Sequence, residues 1–114
     1  MSHLQEKLLG QARENSTNAV AVYTLAANTT VIIKAIILCN QTGGAVTFRV
    51  FADADGTTYD QSTAIQYDVA LAANTTLVLD FFTALSTTGG SIGYRSSVAN
   101  AVTITLFGAE VTST

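Results

Sequence analysis

A chain of 114 residues, 48% hydrophobic and only 11% charged, has the size of one domain but far fewer charges than the roughly 25% that cover an ordinary soluble protein. Thr, Ser, Asn and Gln must cover the surface instead, or another subunit must. The net charge of −3, with the five basic residues scattered at Lys7, Arg13, Lys34, Arg49 and Arg95, argues against nucleic acid as a partner, because phosphate-backbone affinity comes from clustered Lys and Arg.

In chain order, Leu4, Leu8 and Leu9 fit one side of a short helix, but Gly10 follows and the segment is too short to hold a helix alone. Residues 1–18 therefore read as an N-terminal arm that lies on the domain's own flank, a neighbouring subunit or a host surface, and residues 19–114 as the folded domain. The N-terminus lacks the apolar stretch of a signal peptide, so the expectation is synthesis in a cytoplasm without export signals. Residues 20–25 and 30–40 have strand composition, and Gln41-Thr42-Gly43-Gly44 supplies a turn. Val46, Phe48 and Val50 alternate with Thr47 and Arg49, the period of a half-buried strand.

A polar loop follows at 53–60. Ile65, Tyr67, Val69 and Leu71 then resume the alternation, residues 77–81 make another strand, and 86–90 another loop. A short strand at 92–95, a turn at 98–100 and a last strand carrying Val102, Ile104 and Leu106 complete the chain. Seven or eight short strands without a proline predict an all-β, antiparallel sandwich or jelly roll. Phe48, Tyr67 and Phe81 sit in the inward register. The hexapeptide Leu-Ala-Ala-Asn-Thr-Thr occurs twice, at 25–30 and 71–76, each time between strands, which predicts one tight connection used twice; asparagine tolerates the left-handed region and can bond to its own backbone, which suits a turn.

Several strands are apolar on both faces. In residues 31–39, strict alternation sends Val31, Ile33, Ala35, Ile37 and Cys39 one way and Ile32, Ile36 and Leu38 the other, with only Lys34 interrupting the second face. Phe51, Phe82 and Phe107 likewise fall out of register with their neighbours. One small core cannot cover both sets, so self-association is expected. The candidate assembly contacts are Leu4, Leu8, Leu9, Ile32, Ile36, Leu38, Phe51, Phe82 and Phe107. No apolar run reaches the ~20 residues of a membrane span, so no membrane partner is expected, and the lone Cys39 reads as a small buried hydrophobe.

The residues for catalysis are missing. The only histidine is the near-terminal His3, and no Ser-His, Cys-His or zinc-ligand spacing accompanies it. Asp53, Asp55 and Asp60 cluster around Gly56, yet the spacing does not match a calcium loop and Asp-Gly is a favoured turn pair. Asp60, Asp68 and Asp80 have no separation that sequence can supply for paired-acid hydrolysis. The expectation is no enzyme, no cofactor and no metal. The competing class is a glycan- or receptor-binding module, with the loops at 53–60 and 86–90 as its site.

The opening Tyr23-Thr24-Leu25, the run from Val31 through Cys39-Asn40-Gln41-Thr42-Gly43, the Leu9-Gly10-Gln11 ahead of them and the closing Phe107-Gly108-Ala109-Glu110 resemble small tailed-phage virion proteins. That resemblance covers most of the chain through short structural motifs. It implies a capsid decoration (cement) protein with a sandwich or jelly-roll fold, commonly trimeric, on the outside of the virion. Its partners would be its own copies and the major capsid protein, with no catalytic residues; head-fibre, tail and connector components are the alternatives within the same class.

Overall fold

The computed structural model describes residues 2–80 and 83–113, the side chains of Ser2, His3 and Ser113 excepted. Nine strands lie among the described residues: β1 Ser2–Arg13, β2 Val20–Thr24, β3 Thr29–Asn40, β4 Val46–Asp53, β5 Ala64–Leu71, β6 Thr76–Leu79, β7 Thr83–Leu85, β8 Ser91–Ser96 and β9 Val102–Ser113. They form a five-stranded sheet in the order β1-β9-β3-β6, with β7 also on β3, and a four-stranded sheet in the order β2-β8-β4-β5. Every pairing is antiparallel. Because β6 and β7 share one side of β3, nine segments fill eight positions, the double-sheet arrangement of a jelly roll.

The core lies between the sheets. Val31, Ile33, Ile36, Leu38, Ile104 and Leu106 from the larger sheet meet Val46, Phe48, Val50, Ile92 and Tyr94 from the smaller one. The alternation in β4 is the one read from sequence, with Val46, Phe48 and Val50 buried against half-covered Thr47 and Arg49. Tyr94 ties the two sheets through its hydroxyl, which accepts from the Glu14 N–H at 2.7 Å and donates to the Val102 carbonyl at 3.2 Å.

Strict alternation fails in β3, and a bulge is the reason. Ile33 pairs with Gly108 and Ala35 with Phe107, so Lys34 is an extra residue without an opposite number. An inserted residue reverses inward and outward beyond it. Val31 and Ile33 face the core before the bulge, Ile36 and Leu38 face it after, and Ile32, Ala35 and Ile37 are left on the outer face.

The N-terminal segment is a strand, not a helix. Its twelve residues run along the whole of β9, with one irregularity between Leu8 and Gly10 that leaves Leu9 extra. A four-residue spacing such as Leu4 to Leu8 is shared by one helix face and one strand face, so the leucines alone did not discriminate. Leu9, released by the bulge, turns inward onto the core.

Both hexapeptides make the crossing from the smaller sheet to the larger, β2 to β3 and β5 to β6, with Asn28 at φ 59° and Asn74 at φ 55°. Each corner is anchored by a neighbour. Leu25 N–H donates to Gly90 at 2.8 Å and Gly89 N–H to Leu25 at 3.0 Å. At the second corner, Asn40 is buried. Its amide nitrogen donates to the carbonyls of Gly44, Leu71 and Ala72, and its oxygen accepts from the Thr42 N–H and hydroxyl.

Asn40→Ala would strand these carbonyls away from water, and the expected loss is about 2–4 kcal/mol of folding stability. Urea denaturation should show the midpoint lowered with an unchanged slope; an unchanged midpoint would mean the two turns hold without it.

Candidate functional site

The outer face of the five-stranded sheet carries an apolar surface that no other part of the described chain covers. From β1 come Leu4, 62% exposed, and Leu8, 47%; β9 adds Phe107 at 38%, and β6 adds Val78 at 56%. Half-covered Ile32, Ala35 and Ile37 of β3 lie between them, because Ile32 pairs with Ala109, Ala35 with Phe107 and Ile37 with both Thr105 and Val78. One ion pair, Lys34 to Glu6, crosses this face, and the lysine's hydrogen bond and charge hold the Glu6 carboxyl below its ordinary range. Beside it a shallow depression of about 390 Å³ is lined by Glu6, Lys7, Leu8, Lys34, Phe107 and Gly108.

The assembly contacts anticipated from sequence thus separate. Leu4, Leu8, Ile32 and Phe107 share the outer face. Ile36 and Leu38 are fully buried in the chain's own core, and Leu9 packs against it. Phe51 is buried too, but on the outer side of the smaller sheet, where it pairs with Gly93. Its cover comes from within the chain: the 53–63 loop lays Tyr59 over it, with ring centroids 5.8 Å apart. Phe81 and Phe82 lie outside the described residues.

The strand that presents Leu4 and Leu8 is held at its inner side by charge. Glu110 of β9 pairs with Lys7 of β1 at 2.7 Å and accepts from the Tyr23 hydroxyl of the opposite sheet at 2.5 Å. The hydrogen bonds from Lys7 and then Tyr23 hold the Glu110 carboxyl below its usual range. Burial, then the bond to Glu110, raises the Tyr23 hydroxyl.

A second, polar site occupies the outer side of the smaller sheet. An opening of about 530 Å³ is lined by Arg49, Tyr59, Asp60, Gln61, Ser62 and Tyr67. In β5, Val69 pairs with Phe48 and Gln66 with Val50, so Tyr67 and Asp68 together stand opposite Arg49. That bulge, with Asp68 at φ 51°, turns Tyr67 out of the core position expected for it. Its ring lies 4.0 Å from the Arg49 guanidinium carbon, while Asp68 grips the same guanidinium at 2.6 and 3.1 Å. Neither this cluster nor the Tyr59 cover was read from sequence; an aromatic in a polar loop, Tyr59 beside Asp60, was the available signal.

The acidic loop is built as a turn. Asp53 Oδ2 accepts from the N–H groups of Thr57 and Thr58 at 2.7 and 2.6 Å, and Asp55 accepts from the Thr57 N–H and hydroxyl. Asp60 is engaged by Ser62 in the same way, and these hydrogen bonds lower the carboxyls of Asp55 and Asp60. Among the described residues no three His, Cys, Asp or Glu side chains are grouped to hold a metal ion, and no helix is long and apolar enough to cross a membrane.

No protein-family model and no curated protein matches the sequence. Solved structures do. A chain of the infectious bursal disease virus particle superposes with a TM-score of 0.57 at 12% identity, over 97% of this chain and 31% of that one. The virus-like particle of the extra small virus of the giant freshwater prawn Macrobrachium rosenbergii gives 0.53 at 12%, over 99% and 80%. The likeness is one of fold, a double-sheet jelly roll. The VP2 subviral particle of infectious bursal disease virus adds a third likeness, 0.51 at 13%, over 96% and 31%. The jelly roll described here therefore spans under a third of the infectious bursal disease virus chains.

Because the hydrogen bonds from Lys7 and Tyr23 hold the folded-state Glu110 carboxyl below the ordinary glutamate range, its pairing stabilises the fold fully above that range and is lost as pH falls through the lower, folded value. Glu110→Gln keeps an acceptor for Tyr23 and removes the attraction for Lys7. The melting-temperature gap between parent and variant should be constant from about pH 7 to 5 and shrink towards pH 3; a gap that stays constant to pH 3 would show that the Lys7 pair adds nothing.

Proposed function

We propose that this chain is a non-enzymatic structural component of a virion, a capsid decoration protein that binds as an oligomer, a trimer by resemblance to tailed-phage cement proteins, across joints between major capsid subunits. The observation that carries this reading is the uncovered apolar face of the larger sheet. Exposed contiguous apolar surface on a folded domain marks a place where another protein sits. The capsid-type fold supports a place in a virion, and the resemblance to tailed-phage components supports the decoration role.

The mechanism is contact area. Leu4, Leu8, Ile32 and Phe107 lie on one continuous face made by three adjacent strands, β1, β9 and β3, so a partner laid on it removes all four from water at once. Each apolar side chain so covered contributes on the order of 1–2 kcal/mol. Copies bound to one shell reinforce each other, because a second contact made by an already tethered oligomer proceeds at high effective concentration.

Removing residues 1–13 would not test the face cleanly, since β9 would become an open edge and Leu9 would leave the core. Point charges are the cleaner probe. The double variant Leu8→Glu/Phe107→Glu places two carboxylates directly opposite each other on β1 and β9, and their repulsion should lower the melting temperature by about 4–8 °C while the domain stays folded. Sedimentation velocity should show the parent as an oligomer and the variant as a monomer that no longer co-sediments with capsids. An oligomer that survives both charges overturns the assignment of this face, and a copy number of about a dozen per particle instead of hundreds would point to a connector or tail position.

A further inference from the structure

The polar opening on the smaller sheet is separate from the apolar contact, which lies on the other sheet. Two local features shape it. The β5 bulge sets Tyr67 and Asp68 together opposite Arg49, with Asp68 at φ 51°; a non-glycine residue held there is uncommon, and strain of this kind collects at ligand sites. Bulges re-aim side chains, and the one re-aimed here is Tyr67, left 39% exposed instead of entering the core. On the other side of the opening the 59–62 turn is fixed at both ends. The Tyr59 hydroxyl meets Ser91 at 2.6 Å, and Asp60 Oδ1 accepts from the N–H and hydroxyl of Ser62.

The lining favours neither sign of charge. Its one cation, Arg49, is already gripped by Asp68, and an anion entering the opening would also meet the Asp60 carboxylate. A cation would meet the Arg49 guanidinium, and among the described residues no three acidic or other ligating side chains are grouped to hold a metal ion. What the lining does offer is a mixture of unused donors and acceptors. Among the described residues the exposed Gln61 amide, the Tyr67 hydroxyl and Arg49 Nη1 make no hydrogen bond, and Asp60 keeps Oδ2 free. A carboxylate only accepts and an ammonium only donates, whereas a hydroxyl does both. Adjacent hydroxyls on a ring therefore match donors and acceptors set side by side.

We infer that the opening between Arg49, Tyr67 and the 59–62 turn binds an uncharged pyranose. The C–H face of the sugar ring lies on the exposed part of Tyr67, an aromatic with an apolar body and a polar tip. Its hydroxyls donate to Asp60 Oδ2 and the Gln61 carbonyl and accept from the Gln61 amide nitrogen and Arg49 Nη1. Asp68 and Ser62 hold the two charged groups in place beforehand, so ordering them on binding costs little. An opening of about 530 Å³ is within the range that holds a small ligand.

Titration of the full chain with the methyl glycosides of β-galactose, β-glucose and α-mannose, and with glycerol, acetate and tetramethylammonium, followed by NMR of the N–H signals, tests this. At least one glycoside should shift the Gln61, Ser62 and Tyr67 signals to saturation with a dissociation constant of about 1–10 mM. Glycerol, which has hydroxyls but no ring face, should bind at least about tenfold more weakly, as should the two ions. Irradiation of the aromatic protons should transfer saturation to the C–H groups of one face of the bound sugar. Tyr67→Ala and Gln61→Ala should each weaken the binding by about tenfold; Gln61 is exposed, so the second variant keeps the fold if the first does not. No shift from any glycoside up to about 50 mM, glycerol or either ion binding as tightly as the glycosides, or full binding by Gln61→Ala would each overturn the assignment. Leu8→Glu/Phe107→Glu alters the opposite sheet and leaves this titration unchanged, so the two readings fail separately.

Discussion

The close approach of the β3 backbone and the Leu9 side chain to Gly108 is the constraint on which the larger sheet depends. A Cβ at that position would lie 2.0 Å from the Ile32 carbonyl oxygen and 3.0 Å from Leu9 Cδ1, so no residue with a side chain fits without displacing a neighbouring strand. At this level β9 is regular while both flanking strands carry an extra residue, Leu9 in β1 and Lys34 in β3. The two bulges have opposite uses. The one at Leu9 sends an additional leucine into the core over the bare glycine. The one at Lys34 keeps Ile36 and Leu38 inside, although they are out of phase with Val31 and Ile33, and sends Lys34 out to meet Glu6.

The bulges also explain which parts of the molecule could be read from its sequence. The β4 alternation and the two Asn corners follow from rules local to a few residues: side chains alternate along a strand, and asparagine tolerates the left-handed region. Both were legible. The faces of β3 were not, because phase beyond Lys34 depends on what β9 places opposite it, and a contact across some seventy residues leaves no periodic trace. The same holds for β5, where the bulge at Tyr67 and Asp68 exists in relation to Arg49. The excess of apolar residues was legible as a quantity, but its division was not: part enters the core through the bulges, part lies under Tyr59, and part remains on the outer face.

The two outer faces are differently equipped, and the contrast follows from how each is covered. On the smaller sheet the 53–63 loop folds back, Tyr59 packs on Gly93, where a Cβ would lie 2.8 Å from the ring, and its hydroxyl meets Ser91 at 2.6 Å. Apolar Phe51 is thereby closed off and what stays accessible is polar. The larger sheet has no loop of comparable length returning across it among the described residues. Its strands are joined to the other sheet at their ends by tight corners such as those at Asn28 and Asn74, which are too short to reach over the face.

The sheet edges complete the case for association through a face. A regular exposed edge invites another strand to add to it, and natural sheets prevent this with bulges, charges and short strands. Each edge here is interrupted. In β1 the register breaks at Leu9 and Glu6 and Lys7 stand beside the break; β2 has five residues with a break between Ala21 and Tyr23; β5 bulges at Asp68; and the position opposite β9 on β3 is divided between β6 and β7. Strand addition would have to align hydrogen bonds across these irregularities. A partner resting on the outer face has no such requirement, since apolar contact is nondirectional, and the ion pair between Lys34 and Glu6 supplies a charged landmark in the middle of that face for setting orientation.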